Sequence, residues 1–397
     1  MTSLPSAIQG QPPMRTLIVG GTLLTPQDSL PDHALLIERG RILGIERGRP
    51  KAGAQDQVIE ADGLWVAPGL IDIHVHGALG HDPMQASVAA IHGMARFFAQ
   101  HGVTSYLPTT LAATPAQTLA AVQCVAECPQ PADGAQHLGV HIEGPYLNPD
   151  HRGAQPVEQL RDPDPDEYRA WLATGAVRLV TIAPERPGAL AFIDLAVAQG
   201  VEFAIGHSGA SYEQVVLAAE HGLRQATHTF NGMLGLNHRL PGTVGGVLTD
   251  DRIYAQVIAD GVHLHPAVVK LILRAKGVAR TILITDAISP TGLPDGDYQL
   301  TGLKITLKDG VSRTSAGGLA GSTLTLEAGV RNAMQFAGVS LNEALTMATW
   351  APAEAMGWSG KGRLAPGADA DIILLDEALN VQSTIVAGRV VHPRPTP

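Results

Sequence analysis

Cysteine is nearly absent from this 397-residue chain, which has only Cys124 and Cys128. They lie four apart in an Ala/Val/Gln stretch that reads as a helix, so they share one face. A disulfide at that spacing has poor geometry, and two cysteines alone make no zinc site. Both read as small buried apolar residues of a reduced, cytoplasmic chain. Long hydrophobic runs are missing too: no uncharged apolar run approaches the ~18–20 residues of a membrane span. Residues 1–13 have neither the basic nor the apolar segment of a signal peptide and read as a mobile tail. Positive charge is scarce, with 27 Lys and Arg against 37 Asp and Glu and a formal net charge of -10. With no basic cluster, nucleic-acid and membrane partners are excluded. An anionic substrate would have to be held locally, by a few residues acting against the overall field. Aromatic residues make up 4% of the chain. The core therefore falls to Ala, Val, Leu and Ile, which suit barrel strands and the helices packed on them.

What is present is an alternation. Residues 15–25 read as a strand ending at the Gly20-Gly21 turn, followed by strands at 33–38 and 41–47 joined by Arg39-Gly40. Strands return at 367–376 and 383–391. Both chain ends thus read as pieces of one small β-sandwich domain, 14–66 plus 366–397. Between them, short apolar strands are expected at 69–76, 104–108, 138–143, 177–183, 202–207, 225–229, 252–258 and 280–285. Helical patches include 84–100, 115–127, 188–199, 212–221 and 266–275. Eight strands alternating with helices predict an α/β fold, a (β/α)8 TIM-type barrel over 67–365. An open doubly wound sheet is the alternative, but no G-x-G-x-x-G follows a first strand.

Polar residues interrupt these strands at their C-terminal ends, which in a barrel surround a single mouth. Strand 1 ends in Asp72-Ile-His74-Val-His76, and residues two apart on a strand point the same way. Strand 3 ends in His141-Ile-Glu143, strand 5 at His207, strand 6 at His228 and strand 8 at Asp286. A lone strand histidine is more often a hydrogen-bonded core residue than a ligand. Five strands delivering a His or carboxylate to one rim are not explained that way. Imidazoles with one carboxylate suit Zn²⁺ or a similar divalent metal, with a position left open for water. Asp286 beside such a water is a natural proton shuttle, although Asp after a strand also serves as a helix cap.

With these residues in place, the chain resembles the amidohydrolase superfamily and, within it, the N-acetylglucosamine-6-phosphate deacetylases. Pro68-Gly-Leu-Ile-Asp-Ile-His-Val-His-Gly77 and the segment 361–372 carry the superfamily likeness. The narrower likeness lies in His141-Ile-Glu-Gly-Pro-Tyr-Leu-Asn148, Gly206-His207-Ser, Thr227-His-Thr-Phe-Asn-Gly-Met233, Ile258-Ala-Asp-Gly-Val-His263, Thr285-Asp-Ala287 and Leu319-Ala-Gly-Ser322. The resemblance implies that Glu143, His207 and His228 hold the principal metal and that Asp286 is the catalytic acid/base. It implies that His263 binds the acetyl carbonyl oxygen. Ala154, Asn231, Gly232, Arg239, Leu319, Ala320 and Gly321 would contact the sugar phosphate. His74 and His76 would hold a second metal, or otherwise line the mouth, so one or two ions per subunit are expected. His141 is assigned to orienting a ligand, and His151 and Arg152 form a local basic spot of open role. The resemblance also implies a homodimer in which Arg239 reaches the neighbouring site.

The expected reaction is hydrolysis of the acetamide of N-acetylglucosamine 6-phosphate to glucosamine 6-phosphate and acetate. The galactosamine epimer differs in one hydroxyl, which the sequence does not resolve. The alternatives are another amidohydrolase, such as an N-acyl-amino-acid deacylase or a cyclic-amide hydrolase, and a non-catalytic scaffold. The complete ligand set argues against the scaffold.

Overall fold

The computed structural model describes residues 15–26, 28–300 and 302–393; the expected tail at 1–13 lies outside them. Eight parallel strands form the barrel: β1 (Leu70–Val75), β2 (Val103–Thr110), β3 (Val140–Glu143), β4 (Val177–Ile182), β5 (Glu202–Ile205), β6 (Gln225–Ala226), β7 (Tyr254–Val257) and β8 (Thr281–Leu283). Neighbours pair in parallel along the whole series, with register shifts between β1 and β2 and between β3 and β4. Closure comes from the segment after β8. The Asp286 N–H donates to the His74 carbonyl (3.0 Å), and the His76 and Gly77 N–H groups donate to the Ala287 carbonyl (2.7 and 2.9 Å). Buried Asp72 adds a side-chain tie, accepting from the Thr285 hydroxyl at 2.6 Å. This lacing sets Asp286 directly beside the histidines of β1.

All eight expected strands are present, but β5, β6 and β8 stop before the residues of interest. His207, His228 and Asp286 have positive φ (47°, 29° and 52°). That conformation costs about 1–3 kcal/mol in a non-glycine residue and ends a strand. The expected helix over 84–100 is split: a 3₁₀ turn covers Pro83–Gln85, and Ser87 caps a helix over Val88–Gln100 by accepting from the Ala90 N–H. Helices at Pro165–Ala173, Gly242–Thr249, Leu326–Ala337, Leu341–Ala348 and Trp350–Ala355 complete the outer ring. Cys124 and Cys128 are both free; Cys128 is buried, whereas Cys124 is only half-buried.

The chain ends build two further sheets, the first from N-terminal strands alone and the second from both ends. One has the order Arg41–Arg47, His33–Glu38, Thr16–Val19, Gln57–Glu60. The other runs Arg389–His392, Val381–Val386, Ile372–Leu375, Trp65–Pro68, Thr22–Leu24, Ser29–Leu30. They enclose a second core, in which Ile18, Leu35 and Ile37 from one end meet Ile372, Leu374 and Ile385 from the other. The expected single strand at 15–25 is therefore two, broken at Gly20-Gly21, and each half joins a different sheet. Among the described residues, no helix is long and apolar enough to cross a membrane.

One element was not in the expected set. Gly296–Leu300, Leu303–Lys308 and Val311–Thr314 form an antiparallel meander. Its signal is in the sequence: alternation through Leu303, Ile305 and Leu307, then Asp309-Gly310, both at positive φ (51° and 74°), the chemistry of a two-residue hairpin turn. Through Leu300, Leu303 and Thr314 it walls one side of the cavity described next.

Candidate metal and catalytic site

The strand ends converge as the barrel geometry requires. Glu143 Oε1 lies 3.1 Å from His228 Nε2 and 3.3 Å from His207 Nε2, and the two imidazole nitrogens are 3.2 Å apart. Glu143 Oε2 lies 3.2 Å from His76 Nε2, which is 3.2 Å from Asp286 Oδ1 and 3.1 Å from His74 Nε2. Two triads result, Glu143–His207–His228 and His74–His76–Asp286, all buried, each with ligand atoms close enough to hold one metal ion. Glu143 faces both.

The surroundings fit a cation. His207 Nδ1 donates to the His151 carbonyl (2.9 Å), His228 Nδ1 to the Asn231 carbonyl (3.1 Å) and His76 Nδ1 to the Thr109 carbonyl (3.0 Å). Each Nδ1 therefore carries a hydrogen, and each Nε2 points to the centre, where it would offer its lone pair to a metal once any proton on it is displaced, the arrangement by which outer partners orient metal-binding histidines. Six side chains aimed at one another in this way repel unless positive charge sits among them. The pKa directions say the same. Burial pushes the Glu143 carboxyl up, but the charge of His74 and hydrogen bonds from His207, His228 and His76 hold it well below the usual range. Burial likewise works against a charged His76, yet its hydrogen bonds to Asp286 and Glu143 raise it to about 10. His74 is held at about 4 by burial.

A testable consequence is proton release. A His76 whose pKa is raised keeps its proton from the ordinary histidine value up to about 10, and a metal displaces it. Loading the metal-free chain with Zn²⁺ at pH 8 is expected to release about one proton, measured by calorimetry in buffers of differing ionisation enthalpy. Metal uptake without proton release would show that His76 is neutral there.

The triads open onto a cavity of about 310 Å³ lined by Ala154, Asn231, Gly232, His263, Leu319 and Gly321. Gly232 has φ +60°, and a Cβ there would lie 2.8 Å from His207 Nδ1 and 2.9 Å from the His151 carbonyl, breaking that hydrogen bond. Two residues expected at the substrate lie elsewhere. Ala320 is fully buried in a cluster with Ile288, Leu300 and Ile305, its N–H bound to the Ser312 carbonyl (3.2 Å). Arg239 is exposed and does not line the cavity, and among the described residues no Lys or Arg does.

His141 is also corrected. It orients no metal-binding side chain directly; its ring is held between Thr109 Oγ1 (3.3 Å) and Thr181 Oγ1 (2.7 Å), one layer below Glu143. His151 contributes its backbone carbonyl to His207, and Arg152 donates to the Gln155 carbonyl at 3.2 Å. Asp286 caps no helix, since the next helix begins at Leu326. The sequence reading passed over Gln155, which is buried and donates from Nε2 to Glu143 Oε2 at 2.7 Å while accepting from the Ala112 N–H. No local pattern marks it, because its partners are 12 and 43 residues away.

With that geometry established, the likeness to known proteins has a physical counterpart. The model of the amidohydrolase family matches residues 65–391. N-acetylglucosamine-6-phosphate deacetylase of Vibrio furnissii is 41% identical over 365 residues, covering 90% of each chain. N-acetylgalactosamine-6-phosphate deacetylase of Escherichia coli O157:H7 is 40% identical over 372 residues, covering 93% of this chain and 97% of its own. A solved structure of the Mycobacterium smegmatis N-acetyl-D-glucosamine-6-phosphate deacetylase, a mutant in complex with N-acetyl-D-glucosamine-6-phosphate, has a TM-score of 0.87 at 35% identity, covering 95% of this chain and 99% of that one. A barrel whose strand ends deliver two buried His/carboxylate triads, matched over 65–391, settles the relationship: the chain belongs to the amidohydrolase family.

Proposed function

We propose that this chain hydrolyses the acetamide of an N-acetylhexosamine 6-phosphate, N-acetylglucosamine 6-phosphate first, to acetate and the amino-sugar 6-phosphate. The observation that carries the proposal is the pairing of the Glu143-centred triads with the cavity on which His263 and Asn231 abut. Of the relatives at 40–41% identity, one is named for the glucosamine and the other for the galactosamine epimer, so the galactosamine substrate is the second reading.

Glu143, His207 and His228 would hold the principal divalent metal, for which Zn²⁺ fits the nitrogen-rich donor set, and His74 and His76 a second. A metal bound there supplies Lewis acidity that eases deprotonation of water and offsets charge at the acetyl oxygen. Asp286, 3.2 Å from His76, takes the proton of the attacking water and returns it to the departing sugar nitrogen. His263 meets the acetyl oxygen as negative charge develops there. Ala154, Asn231, Gly232 and the 319–321 turn surround the sugar. A phosphate in a cavity without a Lys or Arg needs a cation from elsewhere. Arg239 on a second copy of the chain fills that need, and exposed Leu236 and Leu240 flank it as the apolar part of a dimer contact. In this reading residues 67–365 are the catalytic unit, and 14–66 with 366–397 form a supporting β domain.

Acetate release from N-acetylglucosamine 6-phosphate by the zinc-loaded protein tests the proposal, and no release would overturn it. Asp286→Asn is expected to lower kcat by ~10²-fold or more with KM little changed, since acid–base catalysis contributes ~10²–10⁴-fold. A near-normal kcat would remove Asp286 from proton transfer.

A further inference from the structure

The loop after β7 holds a second carboxylate–imidazole pair, remote in role from the metal triads. His263 Nδ1 lies 2.6 Å from Asp260 Oδ2, and the backbone N–H groups of Val262 and His263 both donate to Asp260 Oδ1 at 2.8 Å. Three donors converge on Asp260, so its carboxyl is ionised: burial opposes this, but the hydrogen bonds from His263 and the backbone hold it below the usual range. An ionised carboxylate at that distance requires hydrogen on Nδ1. The remaining nitrogen, Nε2, has no protein hydrogen-bond partner among the described residues, and His263 lines the cavity.

A chemical constraint follows. In neutral His263 the single hydrogen is on Nδ1, so Nε2 offers a lone pair and repels an acetyl oxygen. To donate to that oxygen, His263 must carry both hydrogens. We propose that Asp260 is a positioning residue that maintains His263 as an imidazolium, so that the acetyl oxygen meets a charged donor as negative charge develops on it. This rests on the deacetylase reading and adds to it the protonation state of the donor and the group that sets it. Two carboxylates act on the ring, Asp260 in contact and Asp286 at longer range, just past the adjacent strand β8. Both favour the cation and outweigh the burial that disfavours it. A bound metal acts the other way, so the contact carboxylate is the decisive partner. No carboxylate of the metal triads is within ion-pair distance of His263.

Asp260→Asn keeps the shape and can keep the backbone hydrogen bonds, but its amide turns a donor toward Nδ1. That forces the hydrogen onto Nε2 and leaves a neutral donor. The expected result is a kcat on N-acetylglucosamine 6-phosphate lower by roughly tenfold to a hundredfold, with KM within about twofold, because charge matters most in the transition state. The loss of kcat/KM at alkaline pH that follows His263 deprotonation in the parent protein should disappear in this variant. In a His263→Gln background the same change should cost nothing further, since Asp260 acts through His263. A merely structural anchor for the loop would cost as much in that background as in the parent, and this outcome would overturn the proposal. A second measurement needs no Asp260 variant and no turnover: ¹⁵N-histidine NMR of the zinc-loaded protein, with His263 assigned by its loss in His263→Gln. Both ring nitrogens should be protonated at pH 7, and an unprotonated Nε2 would overturn the inference even in a fully active deacetylase. Absence of acetate release alongside a protonated Nε2 would instead count against the substrate reading alone.

Discussion

Glu143→Gln is expected to strip the protein of its tightly held metal and of its activity together. Glu143 supplies the one carboxylate of the principal triad, and both its oxygens are committed, Oε1 toward His207 and His228 and Oε2 toward His76 and Gln155. An amide keeps the volume but removes the negative charge and turns an NH₂ toward lone pairs. Loss of an outer partner of a metal ligand costs ~10–100-fold in affinity, and loss of the ligand itself should exceed that. Turnover should fall beyond the ~10²–10⁴-fold due to an acid–base group, because every step depends on the same centre. His74→Asn with His76→Asn is the contrasting case and should leave one metal bound per chain. Metal analysis after dialysis reads both variants. Full metal content with normal turnover in Glu143→Gln would remove Glu143 from the ligand set, and complete metal loss in the double variant would make β1 the primary site.

The phosphate should be worth ~10²-fold or more in kcat/KM, and it should be read by the neighbouring subunit. Charge-assisted hydrogen bonds contribute about 1.5–3 kcal/mol each, and a tenfold change is about 1.4 kcal/mol. Two or three such bonds from an arginine fork therefore exceed the hundredfold, and part of that energy can press the acetamide onto the reacting groups, raising kcat as well. N-acetylglucosamine 6-phosphate should thus exceed N-acetylglucosamine by at least that factor. Arg239→Ala should erase most of the gap while barely altering the slow reaction of the unphosphorylated sugar. Equal rates on the two sugars in the parent protein would sink the phosphate reading. Mixing tests where the arginine comes from. In a dimer combining one Arg239→Ala chain with one Asp286→Asn chain, one of the two sites has both residues intact. Equal co-expression should then restore about a quarter of the parental activity from two nearly inactive variants. No restoration would place Arg239 in its own chain's site.

The barrel was legible because strand and helix periods differ and eight alternations leave few architectures open. His207, His228 and Asp286 were legible as strand-end residues, although each in fact ends its strand by turning to positive φ. The meander over 296–314 was also written in the sequence, in its alternation and in Asp309-Gly310, but nothing local says that it walls a cavity formed by strand ends as distant in sequence as His76 and Glu143.

The sequence by itself determined which residues point the same way: a period of two puts His74 with His76, and His141 with Glu143, on a common face. It could not determine depth. Two residues along a strand amount to about 6.6 Å, which is the difference between the barrel mouth and the layer beneath it. Only the tertiary structure decided that Glu143 reaches His207 and His228, while His141 is spent between Thr109 and Thr181. The same holds for Gln155, for Arg239 outside its own cavity, and for the Asp260 contact with His263 Nδ1. Facing is a property of one strand, but distance and hydrogen-bond partnership belong to pairs of strands, and the closure of the barrel is what brings those pairs together.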